Sequence, residues 1–219
     1  MVSYRARVIR LLSAFVIVAS GIVAVLFGAA QPALALGPGK VCVFNAPSGF
    51  EVGPVEFGHT GWGYLIAGSS QWFYGATENE MGQPVILPGH DIGYWDRHGT
   101  FQQMLNAFYN PSGPTLGRIG VGYYQTYKCY ATGHSSVGAE NIARLNVRCG
   151  GYLGLFDNSL DQTIYIIKTY DSSIPVPSAA DYPAPNDWYA NLGPVSGWPG
   201  PTGLRNDSSG TGADPGGSC

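Results

Sequence analysis

Apolar and polar positions along the 219 residues fall into three textures, and each predicts a different kind of element. The first is a single long apolar run, Leu11 to Ala30, preceded by Arg5, Arg7 and Arg10 and followed by Pro32-Ala33-Leu34-Ala35. A basic start, an apolar stretch and a small-x-small site make the pattern of a secretory signal. Residues 1–35 are therefore expected to leave by cleavage after Ala35. About 20 apolar residues are also enough to span a bilayer, so an uncleaved anchor is the alternative reading.

The second texture is short apolar or aromatic runs bounded by turn residues, which predict strands. Lys40 to Asn45 (Lys-Val-Cys-Val-Phe-Asn) is one such run. Gly58 to Ile66 and Gln71 to Thr77, separated by Ala67-Gly68-Ser69-Ser70, read as a hairpin with a four-residue loop. Glu78 to Gly99 reads as a loop, and Val121 to Tyr130 as a tyrosine-rich strand. Tyr152 to Phe156 reads as a short entry strand. The third texture is helical spacing. Phe101, Met104, Leu105 and Phe108 follow a cap at Thr100, and a second amphipathic stretch starts near Val137. The clearest stripe is Leu160, Ile164, Tyr165 and Ile167 within 159–170, and Pro185 to Leu192 predicts one or two turns. Mixed elements without regular alternation argue an α+β fold: a small antiparallel sheet packed against a central helix. A Gly/Pro/Ser-rich tail, flexible or wrapped, follows from 198 to 219, so the domain proper is 36–197.

Composition narrows the functional classes. Charged residues make up 11%, against about 25% in a typical globular chain, while aromatics reach 13%. So aromatic a chain is not a solvated disordered tail. Without the signal, 8 Lys+Arg face 14 Asp+Glu (11 less three arginines, with no acid lost), a formal charge of -6. That excludes an electrostatic footprint for nucleic acid. Four cysteines, all beyond residue 35, suggest two disulfides in an exported chain. Cys42 and Cys129 both lie in strand candidates and are expected to pair. Cys149 and Cys219 would then tie the end of the chain to the body.

Candidate chemistry centres on two segments, His59-Thr60-Gly61-Trp62-Gly63-Tyr64 and Asp157-Asn158-Ser159-Leu160-Asp161-Gln162-Thr163. A histidine opening a strand can act as base for a nucleophile at a helix N-terminus, where the dipole and free N–H groups stabilise negative charge. Ser159 is the candidate nucleophile, His59 the base, and Tyr74 the candidate third residue, with Glu78 as another. A competing reading makes Ser159-Leu160-Asp161-Gln162 a capping box of the S-x-x-Q type, and His59 a hydrogen-bonded strand-start residue beside Trp62. Cys149, in Arg148-Cys149-Gly150-Gly151, reads as a turn cysteine. His90, Asp91, Asp96 and His98 form a second polar cluster whose spacing fits no standard metal site, so neither metal nor cofactor is called for. The five tryptophans and the tyrosines at 123–130 could line a sugar or peptide groove, although core packing and hairpin cross-strand pairs account for most of them more cheaply.

Gly58-His59-Thr60-Gly61-Trp62-Gly63, Trp72-Phe73-Tyr74-Gly75-Ala76-Thr77-Glu78-Asn79 and Asn158-x-Leu160-Asp161 together resemble a group of exported actinobacterial proteins. Those resemble circularly permuted NlpC-like, papain-fold enzymes of the lecithin:retinol acyltransferase type, in which the histidine precedes the nucleophile. The resemblance covers roughly residues 41–195 and implies a permuted papain-like fold. It places cysteine where this chain has Ser159, and a hydroxyl is a far weaker acid than a thiol. A helix dipole worth roughly 0.3–1 kcal/mol at an exposed site cannot ionise it. Three readings follow. The first is a degenerate member that binds a cell-envelope or other extracellular ligand, such as wall peptide, without turnover. The second is an active amide or ester hydrolase or acyltransferase using Ser159 and His59. The third is an interaction domain with no site.

Overall fold

The computed structural model describes residues 38–49, 51–52, 55–77, 85, 87–89, 94–109, 124–151, 158–205, 210–213 and 215. The expected signal (1–35), the expected strand at 152–156, Glu78, His90, Asp91 and Cys219 lie outside them. Strands β1 (Gly39–Ala46), β4 (His59–Leu65), β5 (Trp72–Thr77), β6 (Tyr94–Gly99), β7 (Thr126–Thr132) and β8 (Thr202–Gly203) form one antiparallel sheet. Its order is β6-β5-β4-β1-β7-β8, and β2 (Glu51–Val52) and β3 (Val55–Glu56) make a separate ribbon. The described helices are α1 (Phe101–Tyr109), α2 (Ala139–Cys149), α3 (Ser159–Tyr170) and α4 (Pro185–Ser196). The chain is α+β, an antiparallel sheet packed against a helix as the patterning predicts.

Both faces of the sheet are buried, which is why its strands read as apolar runs. On one face Val41, Val43, Trp62, Tyr64 and Phe73 meet Ala143 of α2, Leu160, Ile166, Ile167 and Tyr170 of α3, and Trp188 and Leu192 of α4. On the other, Cys42, Phe44, Trp72, Tyr74 and Trp95 meet Met104 and Phe108 of α1, with Tyr124. Alternation along β4 explains its Gly-x-Gly spacing. A Cβ at Gly61 would lie 2.3 Å from Phe108, and one at Gly63 would lie 2.3 Å from the Met104 sulfur. Side chains there would have to displace the Phe108 ring and the Met104 sulfur, whereas Trp62 and Tyr64 point to the other face.

Four expectations need adjustment. The loop assigned to 78–99 contains β6, paired with β5 from Trp72↔Gly99 to Thr77↔Tyr94. Its Asp-Arg-His run hides the strand, because Asp96 is neutralised by buried Arg148 rather than exposed. The tyrosine-rich strand is β7 and starts later, at Thr126. On α3 the buried stripe runs through Ile166 and Tyr170, while Tyr165 faces solvent. α4 reaches three turns; Pro185 starts it and Gly197, at φ +71°, ends it.

Cys42 and Cys129 stand opposite each other on β1 and β7 and are disulfide-bonded. Closing 87 residues of sequence removes enough chain entropy from the unfolded state to be worth about 4–5 kcal/mol. Cys149 is also disulfide-bonded; its expected partner, Cys219, is outside the described residues. The reading of Cys149 as a turn residue is adjusted, since it closes α2. The tail is of the wrapped kind where it is described: Trp198 is buried with its indole N–H on Pro175 O at 2.7 Å, and Ala213 pairs with His98.

Candidate functional site

The N-terminus of α3 is built by Asn158 rather than Ser159. Asn158 is extended (φ -122°, ψ -171°), and its Oδ1 accepts the Leu160 N–H at 2.8 Å. Asp161 returns the favour, its Oδ2 accepting the Asn158 N–H at 3.1 Å. The capping box is therefore N-x-x-D, one residue earlier than the S-x-x-Q reading. Gln162 is unavailable for that job because its Oε1 accepts from Asn146 Nδ2 of α2. Burial raises the pKa of Asp161, and the N–H groups it accepts pull it back down.

Ser159 is thus the first helical residue, released from capping. It is 4% exposed, and among the described residues its hydroxyl takes part in no hydrogen bond. One turn further on the same face, Thr163 donates from Oγ1 to Thr60 Oγ1 at 3.3 Å. Thr60 is paired with Asn45 on β1, and Asn45 with Thr126 on β7. The β4–β5 register, Trp62↔Gly75, carried two residues further sets Thr77 beside Thr60. A row of uncharged polar side chains therefore crosses the sheet beneath α3, meeting it at Thr163. Asn45, Thr60 and Thr77 are all buried, yet Asn45 Oδ1 and Thr77 Oγ1 have no hydrogen-bond partner among the described residues. Buried polar atoms left in that state cost about 1–3 kcal/mol each, so such a row calls for a reason.

His59 does not belong to this row. It is paired with Ala46 and shares the face of Gly61, where α1 packs. Its ring lies 6.1 Å from that of Tyr124, and the residue is buried. The side chain that β4 turns toward α3 is Thr60, one position along. Tyr74, paired with Gly63, is on the same face as His59 but four residues away along the strands, about 13 Å. Its phenol donates to Thr211 O at 2.8 Å, and burial pushes its pKa well up, against the pull of Arg97. The structure thus does not bring Ser159, His59 and Tyr74 together: the sheet separates the first from the second, and strand length separates the second from the third. General-base activation needs roughly 2.6–3.2 Å or one bridging water.

The other candidates resolve as packing. Asp96 accepts from Arg148 Nε at 3.1 Å and Nη2 at 2.9 Å, and His98 Nε2 sits 3.0 Å from Glu140 Oε1. Trp62, Trp72, Trp95, Trp188 and Trp198 are all buried, so for the tryptophans core packing holds over a ligand groove. The patterning passed over Asn45, Thr60, Thr77 and Thr163, although one signal was present: polar residues at core-facing positions of otherwise apolar strands. What the row can do is donate and accept hydrogen bonds to an uncharged group. No family model, no curated protein and no solved structure matches the chain.

Proposed function

We propose that this chain is an exported, non-catalytic relative of the permuted papain-like enzymes, binding a cell-envelope or other extracellular ligand without turning it over. The observation that carries the reading is the placement of His59 and Ser159 on opposite faces of the sheet. A serine there has a helix N-terminus but no imidazole behind it, and the dipole alone is too weak to ionise a hydroxyl. Support for a ligand comes from Asn45 Oδ1 and Thr77 Oγ1, which lack partners among the described residues. Export rests on the sequence of residues 1–35. The disulfides agree with an oxidising compartment, and no described helix is long and apolar enough to cross a membrane.

The test restores the family-type thiol. Among the described cysteines none is free, so Ser159→Cys adds one unambiguous thiol. Its alkylation rate across pH is expected to titrate no further below the free-thiol value of about 8.5 than a helix N-terminus explains, and to be unchanged by His59→Ala. A depressed midpoint that reverts in His59→Ala would show a working nucleophile–base pair and overturn the reading. Ester hydrolysis by the wild type that Ser159→Ala abolishes would do the same. For the ligand, a soluble wall stem peptide is the probe. Its binding is expected to survive Ser159→Ala and to be lost when Asn45→Leu and Thr77→Val are combined.

A further inference from the structure

The C-terminal segment touches both edges of the sheet. At one edge β8 pairs with β7, and the Leu204 N–H donates to Gln125 O at 2.9 Å. At the other, Ala213 and His98 of β6 exchange two N–H···O bonds of 2.8 Å. Between Gly210 and Ala213 the grip comes from side chains of α1, β5 and β6 itself. Asn106 Nδ2 of α1 donates to Gly210 O at 3.1 Å, and Tyr74 Oη of β5 donates to Thr211 O at 2.8 Å. Arg97 Nη1 of β6 donates to Thr211 Oγ1 at 2.8 Å and to Gly212 O at 3.3 Å.

Nearly all of these bonds go to backbone atoms, so the groove holds main chain rather than particular side chains, in a path that turns through positive φ at Gly210 (+74°) and Gly212 (+82°). Two positions are selective: Gly210 by its dihedral, φ +74°, and Gly212 by dihedral and space together. Gly212 has φ +82°, and a Cβ on it would lie 2.0 Å from Tyr74 Oη and 2.4 Å from His98 O. Only glycine satisfies both the dihedral and the space. None of residues 210–213 is buried, so the segment has no apolar anchor here and lies in a groove open to solvent. The sheet edge contributes a single bridge, His98 to Ala213, and the side-chain donors of Asn106, Tyr74 and Arg97 supply the rest of the main-chain recognition.

We propose that the groove formed by Asn106, Tyr74, Arg97 and the edge of β6 is a peptide-binding site for a Gly-x-Gly-bearing segment of another polypeptide, with residues 210–213 as its resident competitor. The ligand presents four successive carbonyls, to Asn106, Tyr74, Arg97 and the His98 N–H, and a glycine opposite Tyr74. The site lies on the α1 face of the sheet and is independent of the row beneath α3.

The experiment expels the resident without touching the groove. Gly212→Val in the full chain changes only the tail, and a labelled peptide of residues 208–215 is the probe. Anisotropy is expected to show the peptide binding Gly212→Val at least tenfold more tightly than the wild type. A peptide with valine in place of the second glycine, or the added substitution Arg97→Ala, is expected to lose at least tenfold. Hydrogen exchange of the His98 amide reports the resident: faster in Gly212→Val, slowed again by the peptide. Fast exchange without peptide binding would overturn the proposal, as would equal binding of the glycine and valine peptides. Unchanged His98 protection in Gly212→Val would remove the steric basis of the selectivity and sink it too.

Discussion

Asn158 and Asp161 close the first turn of α3 reciprocally, each side chain accepting a backbone N–H that the helix start would otherwise leave open. The adjacent Ser159 hydroxyl takes no part. Asn158→Ala is therefore expected to cost about 1 kcal/mol of stability. Ser159→Ala should change it by no more than about 0.5 kcal/mol, since it removes no hydrogen bond found among the described residues. Urea unfolding of the two variants checks this. Equal losses would return the capping role to Ser159.

Thr60 and Thr77 occupy matching positions on neighbouring strands but differ in satisfaction. Thr60 accepts from Thr163, whereas Thr77 Oγ1 has no partner among the described residues. Valine has the shape of threonine without the hydroxyl. Thr77→Val is expected to be neutral or stabilising by about 1 kcal/mol, and Thr60→Val to lose about 1–3 kcal/mol by stranding the Thr163 hydroxyl. Stability gained on removing the Thr77 hydroxyl would agree with a binding role for it. If Thr77→Val lowers the unfolding midpoint as far as Thr60→Val, the Thr77 hydroxyl is structural.

Much of this fold is legible in the sequence because β1, β4, β5 and α3 bury long apolar side chains in regular spacing. β6 is not, because Asp96, Arg97 and His98 look solvated until Arg148 of α2, the tail and Glu140 are brought to them. The site is legible by residue type and illegible by face. In a sheet exposed on one side, polar residues mark the outward positions, and a shift of one residue would be visible. Here helices cover both faces, so Thr60 and His59 look equally inward, and nothing local says which one meets α3. The cap has a similar ambiguity: Asn158 and Ser159 are both good N-caps, and the choice is settled by Gln162 being drawn to Asn146.

Arg148 and Asp96 are a buried pair, with side-chain exposures of 5% and 1%. Removing one member leaves the other charge in a poor solvent without its counter-ion. Arg148→Met is expected to cost about 3–5 kcal/mol. The double variant Asp96→Leu/Arg148→Met should recover part of that loss, since it removes both charges. A double variant no more stable than Arg148→Met would show that Asp96 is held by its other surroundings.

Alkaline pH should expose the buried phenols. Burial, the largest cause in each case, raises the pKa of Tyr64, Tyr74 and Tyr189 well above 10 and that of Tyr170 to about 12. Tyr170 also donates to Leu65 O at 2.8 Å. In the unfolded chain these groups ionise near pH 10. Below that value both states hold the proton and stability is level. Above it the unfolded state releases protons that the folded state retains, so stability falls until the folded pKa is passed. Lys128, whose pKa is lowered by burial, works the other way just below its unfolded value of about 10.4. The urea midpoint is expected to hold steady up to about pH 10 and drop between about 10 and 12. Tyr170→Phe, which has no proton to lose, should drop less steeply. A midpoint level through pH 12, or the same slope in Tyr170→Phe, would mean that these hydroxyls reach solvent in the folded chain.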